Sequence, residues 1–115
     1  MTINQYQQDA MRTANPDNPM AYGMLVNGAM GLCGEAGEVV DIVKKFLFQG
    51  HDLSREHLAE ELGDVAWYLA VTAYSIGYDL ESVLAMNVEK RAKRYPQGFD
   101  RDHSVHRAEY KGAEL

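Results

Sequence analysis

Apolar residues recur along most of the chain at the three- and four-residue spacings of α-helices, and short polar stretches separate four such segments. Near the start, Thr2 and Gln5 have the spacing of a capping box, which predicts a first helix from about Ile3 to Thr13. Residues 14–19 contain two prolines and two asparagines, and this composition predicts a loop. No alternating run of β-branched residues bounded by turns indicates a strand.

The second segment predicts the longest helix, from about Met20 to Phe48, with Gly50 just beyond its end. A glycine inside a helix costs about 1 kcal/mol relative to alanine. We interpret Gly34 and Gly37 as room for the close approach of a neighbouring helix or ligand. The alternative is that the helix breaks within residues 23–31, where further glycines lie. The glycines of this segment are Gly23, Gly28, Gly31, Gly34 and Gly37.

The third segment follows Ser54, a favoured N-cap residue, and predicts a helix from about Arg55 to Ile76. Apolar residues cover nearly all of its circumference, so we expect it to be buried on several sides. In so short a chain, this burial predicts a subunit interface. A fourth helix is predicted from about Leu80 to Tyr95, where Pro96 stops it.

Together these segments predict an all-α fold of four to five helices, forming a helical bundle that homo-oligomerisation completes. We expect residues 1–99 to form a single domain. The polar stretch from Gln97 to Leu115 has no helical periodicity. We therefore expect the C-terminal tail, residues 100–115, to be extended or partly disordered, or to lie over a partner subunit.

The composition excludes several classes of protein. The 115 residues fit one domain, and no stretch has the roughly 18 consecutive apolar residues that span a membrane. The first residues lack the pattern of a secretory signal, and Cys33 is the single cysteine, so we expect a cytoplasmic protein without an internal disulfide. The net charge of −6 argues against binding to a nucleic acid polymer.

Two acid-x-x-acid pairs lie in the second and third predicted helices: Glu35 with Glu38, and Glu61 with Asp64. Residues three apart share a helix face, with Cβ atoms roughly 5–6 Å apart. If the two helices lie side by side, four carboxylates converge and repel one another unless a cation lies between them. Carboxylate oxygens suit hard cations, so the pattern favours Mg²⁺, with Mn²⁺ as the alternative. A solvated acidic surface is the competing interpretation of the spacing alone.

Three stretches of the sequence resemble the MazG-like nucleotide pyrophosphohydrolases: Gly31–Glu38, Ala59–Val65 and Lys93–Phe99. The first two contain the family's E-x-x-E and E-x-x-D motifs. The resemblance implies an all-α fold related to the dimeric dUTPases, a homodimer or homotetramer, and Mg²⁺-dependent hydrolysis of nucleoside triphosphates to monophosphate and pyrophosphate. The tail beyond Phe99 has no counterpart in the family. The metal ligands that the resemblance implies are Glu35, Glu38, Glu61 and Asp64.

Four further residues are candidates for substrate binding. Asn87 and Lys90 lie one turn apart on the fourth helix, and the resemblance points to the same Asn and Lys. Lys90 and Arg94 would bind phosphates, although compensation of the helix dipole explains cations at these positions at least as well. Trp67 would stack on a base, with core packing as its alternative.

The leading hypothesis is therefore a Mg²⁺-dependent pyrophosphohydrolase acting on (d)NTPs or aberrant analogues. A carboxylate that the metal does not fully engage can orient the attacking water or accept its proton, and we assign this role to Glu38 first and Glu35 second. The alternative is a non-catalytic helical module that binds a metal or a protein. A di-iron bundle is disfavoured because such sites use Glu-x-x-His, and no Glu in this chain has a His three residues later.

Overall fold

The computed structural model describes residues 1–15 and 22–110, and every regular element within these ranges is helical. The all-α prediction is thereby confirmed. Most of the loop predicted at 14–19, with the predicted start of the second helix, lies outside the described residues. In chain order the elements are α1 (Ile3–Arg12), α2 (Gly23–Phe48), α3 (Arg55–Ser75), α4 (Leu80–Arg94), α5 (Arg101–Val105) and a 3-10 turn (Ala108–Tyr110).

Local capping signals determine where α1 and α3 begin. The Thr2 hydroxyl accepts a hydrogen bond from the backbone N–H of Gln5 at 3.1 Å, and the Gln5 side chain accepts one from the N–H of Thr2 at 2.7 Å. This is the predicted capping box, and it satisfies N–H groups that the helix itself leaves unpaired. At the start of α3, the Ser54 hydroxyl accepts from the N–H of His57 at 3.2 Å.

The helices α2 and α3 pack as an antiparallel pair, and two glycines of α2 set how closely they approach. Gly28 faces Thr72 and Gly31 faces Tyr68, so residue numbers rise along one helix as they fall along the other. A Cβ atom at Gly31 would lie 2.0 Å from the Tyr68 ring, and one at Gly28 would lie 2.5 Å from the Thr72 hydroxyl oxygen. The glycines therefore allow the close contact, and α2 continues through residues 23–31 without a break.

The close approach expected at Gly34 and Gly37 is not made within the described chain. A Cβ atom built at either position meets no described atom within 4 Å. The predicted helix contact at Gly34 and Gly37 is therefore wrong for α2 and α3, because these two helices make their close contact nearer to the start of α2. A ligand or a second subunit at Gly34 and Gly37 stays a prediction.

Gln7 joins α1 to the end of α3 and the start of α4. Its side chain is only 5% exposed. Its Nε2 donates to the carbonyls of Ala70 and Tyr78, both at 3.1 Å, and its Oε1 accepts from the N–H of Leu80 at 2.9 Å. Because both ends of the amide are bonded, its burial holds these segments together rather than opposing the fold. The core side chains of Ala10, Ala70 and Leu80 pack in the same region.

The helix α3 is less buried in a single chain than its apolar circumference predicts. Ala70 and Val71 are buried, but Leu62, Tyr74 and Ile76 are each more than half exposed. The physical reason is that only α1 and α2 make extensive contacts with α3 among the described elements. Completion of the bundle by a second copy of the chain stays a prediction.

Contacts divide the chain into two units, Met1–Leu80 and Glu81–Leu115, and each is described by itself. In the second unit the described part of the tail, residues 100–110, is folded into short helical elements rather than extended or disordered, and a contact with a partner subunit stays a prediction. Asp100 caps α5 by accepting from the N–H of His103 at 3.0 Å, and the 3-10 turn follows. The polar composition does not predict these elements, because a helix this short depends on a cap and a contact rather than on an apolar stripe.

Among the described helices, none has the length and apolarity that crossing a membrane requires.

Candidate active site

Acidic residues of α2 and α3 meet because the two helices run antiparallel. Glu35 lies one turn after Gly31 in α2, and Asp64 lies one turn before Tyr68 in α3, so the contact of Gly31 with Tyr68 brings the two acids together. Each of Glu35, Glu61 and Asp64 offers a carboxylate oxygen within 4.8 Å of the other two. Three of the four predicted metal ligands thus form one group, which we call the acid cluster.

The acid cluster concentrates negative charge in a partly buried place. Loss of hydration raises the pKa of Glu35 above its usual range, and a hydrogen bond with Glu61 and the charges of Asp64, Glu61 and Glu38 raise it further. A divalent cation among the three carboxylates would offset their repulsion. Since three carboxylates are the donors that Mg²⁺ and Mn²⁺ prefer, the residues fit such a metal.

Glu38, the fourth predicted ligand, lies outside the acid cluster. It is exposed, and it lines a cavity of about 220 Å³ whose wall also includes Lys45, Asp52 and His57. Its charge nevertheless contributes to the raised pKa of Glu35, so the two carboxylates interact. Glu38 therefore lies beside the acid cluster rather than within it.

Two residues next to the acid cluster were not among the predicted site residues. His57 Nε2 lies 3.2 Å from Glu61 Oε1, and the four-residue spacing of this pair is a signal that the sequence does contain. The Tyr6 hydroxyl donates to the carbonyl of Gly63 at 3.5 Å, and burial together with the charge of Asp64 raises the pKa of Tyr6. Tyr6 belongs to α1, so no spacing within a helix could indicate its position beside α3.

Trp67 is held by packing and by one hydrogen bond. Its Nε1–H donates to the Thr13 hydroxyl at 3.1 Å, and its ring meets Tyr68 edge-on with ring centres 4.9 Å apart. It also packs against the core that contains Ala10 and Ala70. These contacts favour the core-packing alternative, and stacking of Trp67 on a base stays a prediction.

The three predicted substrate residues of α4 are all bound within their own unit. Asn87 Oδ1 accepts a hydrogen bond of 2.8 Å from the arginine one turn later in α4. Arg94 forms a hydrogen-bonded ion pair with Glu109, and Lys90 Nζ lies 5.2 Å from the centre of the Tyr110 ring. The tail therefore covers Lys90 and Arg94, which we call the cationic face of α4.

The fold and the acid cluster define an all-α protein with a candidate site for a divalent cation. The family model for the MazG nucleotide pyrophosphohydrolase domain matches residues 28–99, which is more than half of the chain. The chain therefore belongs to the MazG nucleotide pyrophosphohydrolase family, as the resemblance of its motifs predicts. The match includes the acid cluster, Glu38 and α4, and it ends before the tail.

The chain is also similar to the Gene 37 protein of Mycobacterium phage L5, with 40% identity over 73 residues. The aligned part covers 60% of this chain and 64% of the relative. The chain thus spans less than two thirds of the length of the relative that it matches. No solved structure matches the chain.

Proposed function

We propose that this protein is a nucleotide pyrophosphohydrolase that uses Mg²⁺, or Mn²⁺ in its place. Its substrates would be nucleoside triphosphates or their aberrant analogues, and its products a nucleoside monophosphate and pyrophosphate. The observation that carries the proposal is the convergence of Glu35, Glu61 and Asp64 within 4.8 Å in a chain of the MazG family. Carboxylates this close repel one another unless a proton or a cation lies between them.

The acid cluster would hold the cation, with Glu38 as a fourth ligand one turn further along α2. When bound, a divalent cation neutralises charge on the phosphate oxygens and on the departing pyrophosphate. Metal binding would favour the ionised form of Glu35, whose pKa its surroundings raise, since carboxylate ligands must be deprotonated. The carboxylates would hold the cation, and the cation would in turn bind the phosphates of the substrate.

Glu38 is our first candidate for orienting that water and accepting its proton, and Glu35 is the second. Glu38 is exposed and lies outside the acid cluster, which leaves its oxygens accessible to a water molecule. Glu35 lies within 4.8 Å of carboxylate oxygens of both Glu61 and Asp64. We therefore assign the base to Glu38, the carboxylate that lies outside the group of closely spaced acids.

Asn87, Lys90 and Arg94 would bind the phosphates or the sugar of the substrate. Two cations and an amide one turn apart on one helix can bind phosphate and hydroxyl oxygens through charge-assisted hydrogen bonds. Trp67 is the weaker candidate for base stacking, because its indole N–H is already bonded and its ring packs on the core.

A homodimer or homotetramer is part of the proposal. In a single chain Leu62 and Tyr74 of α3 and Ile76 at its C-terminal end are more than half exposed, and a second copy would remove such apolar surface from water. A cytoplasmic location would suit Cys33, an exposed single thiol that a reducing compartment keeps unoxidised.

The test is to incubate the full chain with a panel of nucleotides and Mg²⁺ and to measure monophosphate and pyrophosphate. We expect the two products in equal amounts and no hydrolysis after the metal is chelated. Glu38→Gln should lower kcat by about 100-fold or more, because an amide cannot accept the proton. Glu60→Gln is the matched control, since Glu60 is exposed and lies outside the acid cluster although it adjoins Glu61.

Full activity of Glu38→Gln would contradict the assigned base. Absence of both products with every nucleotide would contradict the proposed function. Binding of the metal without any turnover would then favour the alternative of a non-catalytic module.

A further inference from the structure

The C-terminal tail places two successive side chains on two cations of α4. Arg94 donates through Nε and Nη2 to Oε1 of Glu109, and Lys90 Nζ lies over the ring of Tyr110. The side chains of Arg94 and Glu109 are only 16% and 5% exposed, so the ion pair is largely removed from water. All four residues belong to the second unit.

The tail reaches α4 as a folded segment. Asp100 caps α5, and the Tyr110 N–H donates to the carbonyl of Arg107 at 3.1 Å in the 3-10 turn. Burial by itself would raise the pKa of Glu109, yet the hydrogen bond and charge of Arg94 lower it below the usual range. The carboxylate is therefore present as an anion paired with α4.

We propose that the tail is an internal competitor for phosphate: Glu109 and Tyr110 occupy the cationic face of α4, and an anionic ligand must displace them to bind there. The inference rests on the proposed function, which assigns Lys90 and Arg94 to the phosphates of the substrate. A carboxylate and a phosphate use the same guanidinium N–H groups. They cannot both bind these groups of Arg94 at once.

One feature of the contact between Glu109 and Arg94 weakens it. Oε2 of Glu109 is buried and has no hydrogen-bond partner among the described residues, which opposes the gain from the ion pair. A triphosphate carries several charged oxygens and replaces both tail contacts together. When only a fraction of molecules has the tail displaced, the apparent Kd for the ligand rises by the inverse of that fraction.

The test uses the full chain and inorganic tripolyphosphate, with EDTA present so that no metal at the acid cluster contributes. In Glu109→Gln the amide cannot form the ion pair with Arg94, and we expect calorimetry to give a Kd lower by about threefold or more. Glu89→Gln removes the same charge from the exposed side of α4, where Glu89 pairs with Lys93 at 3.4 Å. This control should stay within about twofold of wild type.

Backbone hydrogen exchange of residues 100–110 gives a second readout. Tripolyphosphate should speed up exchange there in the wild type, because a displaced tail loses the bonds of α5 and of the 3-10 turn. If Glu109→Gln does not fold, Tyr110→Ala should tighten binding in the same direction, since it removes the ring from Lys90.

The inference is overturned if the variants bind tripolyphosphate no more tightly than the wild type, or if neither the wild type nor the variants bind it. It is also overturned if binding slows backbone hydrogen exchange in residues 100–110. Different outcomes would contradict the proposed function and the role of the tail. No hydrolysis of nucleotides, with tighter tripolyphosphate binding in Glu109→Gln, would overturn the enzyme and leave the tail contact standing. Normal hydrolysis with an unchanged KM in Glu109→Gln would contradict only the role of the tail.

Discussion

A carboxylate oxygen of Glu35 in α2 and one of Glu61 in α3 lie within 4.8 Å of each other across the helix pair. Loss of hydration and the neighbouring acids raise the pKa of Glu35, because they disfavour its ionised form. This proximity follows from helix packing, because the contact of Gly31 with Tyr68 lies one turn away and fixes how closely the acids approach. A divalent cation among these carboxylates would offset their mutual repulsion.

In the metal-free protein we expect a ¹³C NMR titration to place the pKa of Glu35 above its ordinary value of 4.5. The folded-state pKa is raised, so the stabilising contribution of the protonated group is complete below 4.5 and is lost as pH rises through the folded value. Glu35→Gln carries no charge at any pH. The metal-free variant should therefore gain stability relative to wild type as pH rises.

Saturating Mg²⁺ should lower the pKa of Glu35, because the cation favours the ionised carboxylate. In its presence the wild type should show a higher Tm than without metal at neutral pH, and Glu35→Gln should gain less. If the NMR titration of Glu35 does not move when Mg²⁺ is added, the acid cluster is not a metal site.

His57 should support metal binding by holding the carboxylate of Glu61, with Nε2 3.2 Å from Oε1. Removing such an outer partner of a metal ligand typically weakens binding by at least about tenfold. We expect this loss in His57→Leu and its recovery in His57→Gln, which keeps a donor at a similar reach. Electron paramagnetic resonance of Mn²⁺ measures the affinity without reference to activity.

The matched control for His57 is His51→Leu. His51 lines the same cavity as His57, and its backbone N–H bonds to Lys45, so the substitution leaves that bond in place. Equal Mn²⁺ affinity in His57→Leu and wild type would mean that the pair with Glu61 is only a surface contact.

Gly31→Ala should destabilise the α2–α3 pair. Its Cβ would lie 2.0 Å from the Tyr68 ring, so the ring or the helix must move, and overpacking of this kind costs about 1–3 kcal/mol. Gly34→Ala is the control, because its Cβ meets open space and alanine is the better helix former. Urea unfolding measures both, and a Gly31→Ala variant as stable as Gly34→Ala would show that the contact is not tight.

Gln7→Met should lower the free energy of unfolding by about 1–3 kcal/mol, because the buried N–H of Leu80 and carbonyl of Tyr78 lose their partner. Methionine has a similar length, which limits the change to the lost hydrogen bonds. Gln8→Met is the control at the exposed neighbouring position and should change stability by less than about 0.5 kcal/mol. Thermal unfolding of the two variants compares them directly, and equal Tm values would contradict the anchoring role of Gln7.

The sequence by itself determined the four long helices and most of their ends. The capping box of Thr2 and Gln5, the N-cap Ser54 and the stop at Pro96 predict bounds that agree with α1, α3 and α4 to within one residue. Such signals work because a cap or a proline acts on the few backbone groups next to it. The two acidic pairs and the MazG motifs were likewise readable from spacing and order alone.

Only the tertiary structure decided which of these residues meet. It grouped Glu61 and Asp64 with Glu35 but set Glu38 beside them, and it moved the close helix contact from Gly34 to Gly31. It also folded a polar tail back onto Arg94. Each of these outcomes depends on the register of one element against another, and that register is set by contacts between residues far apart in the chain, for which no local spacing carries a signal.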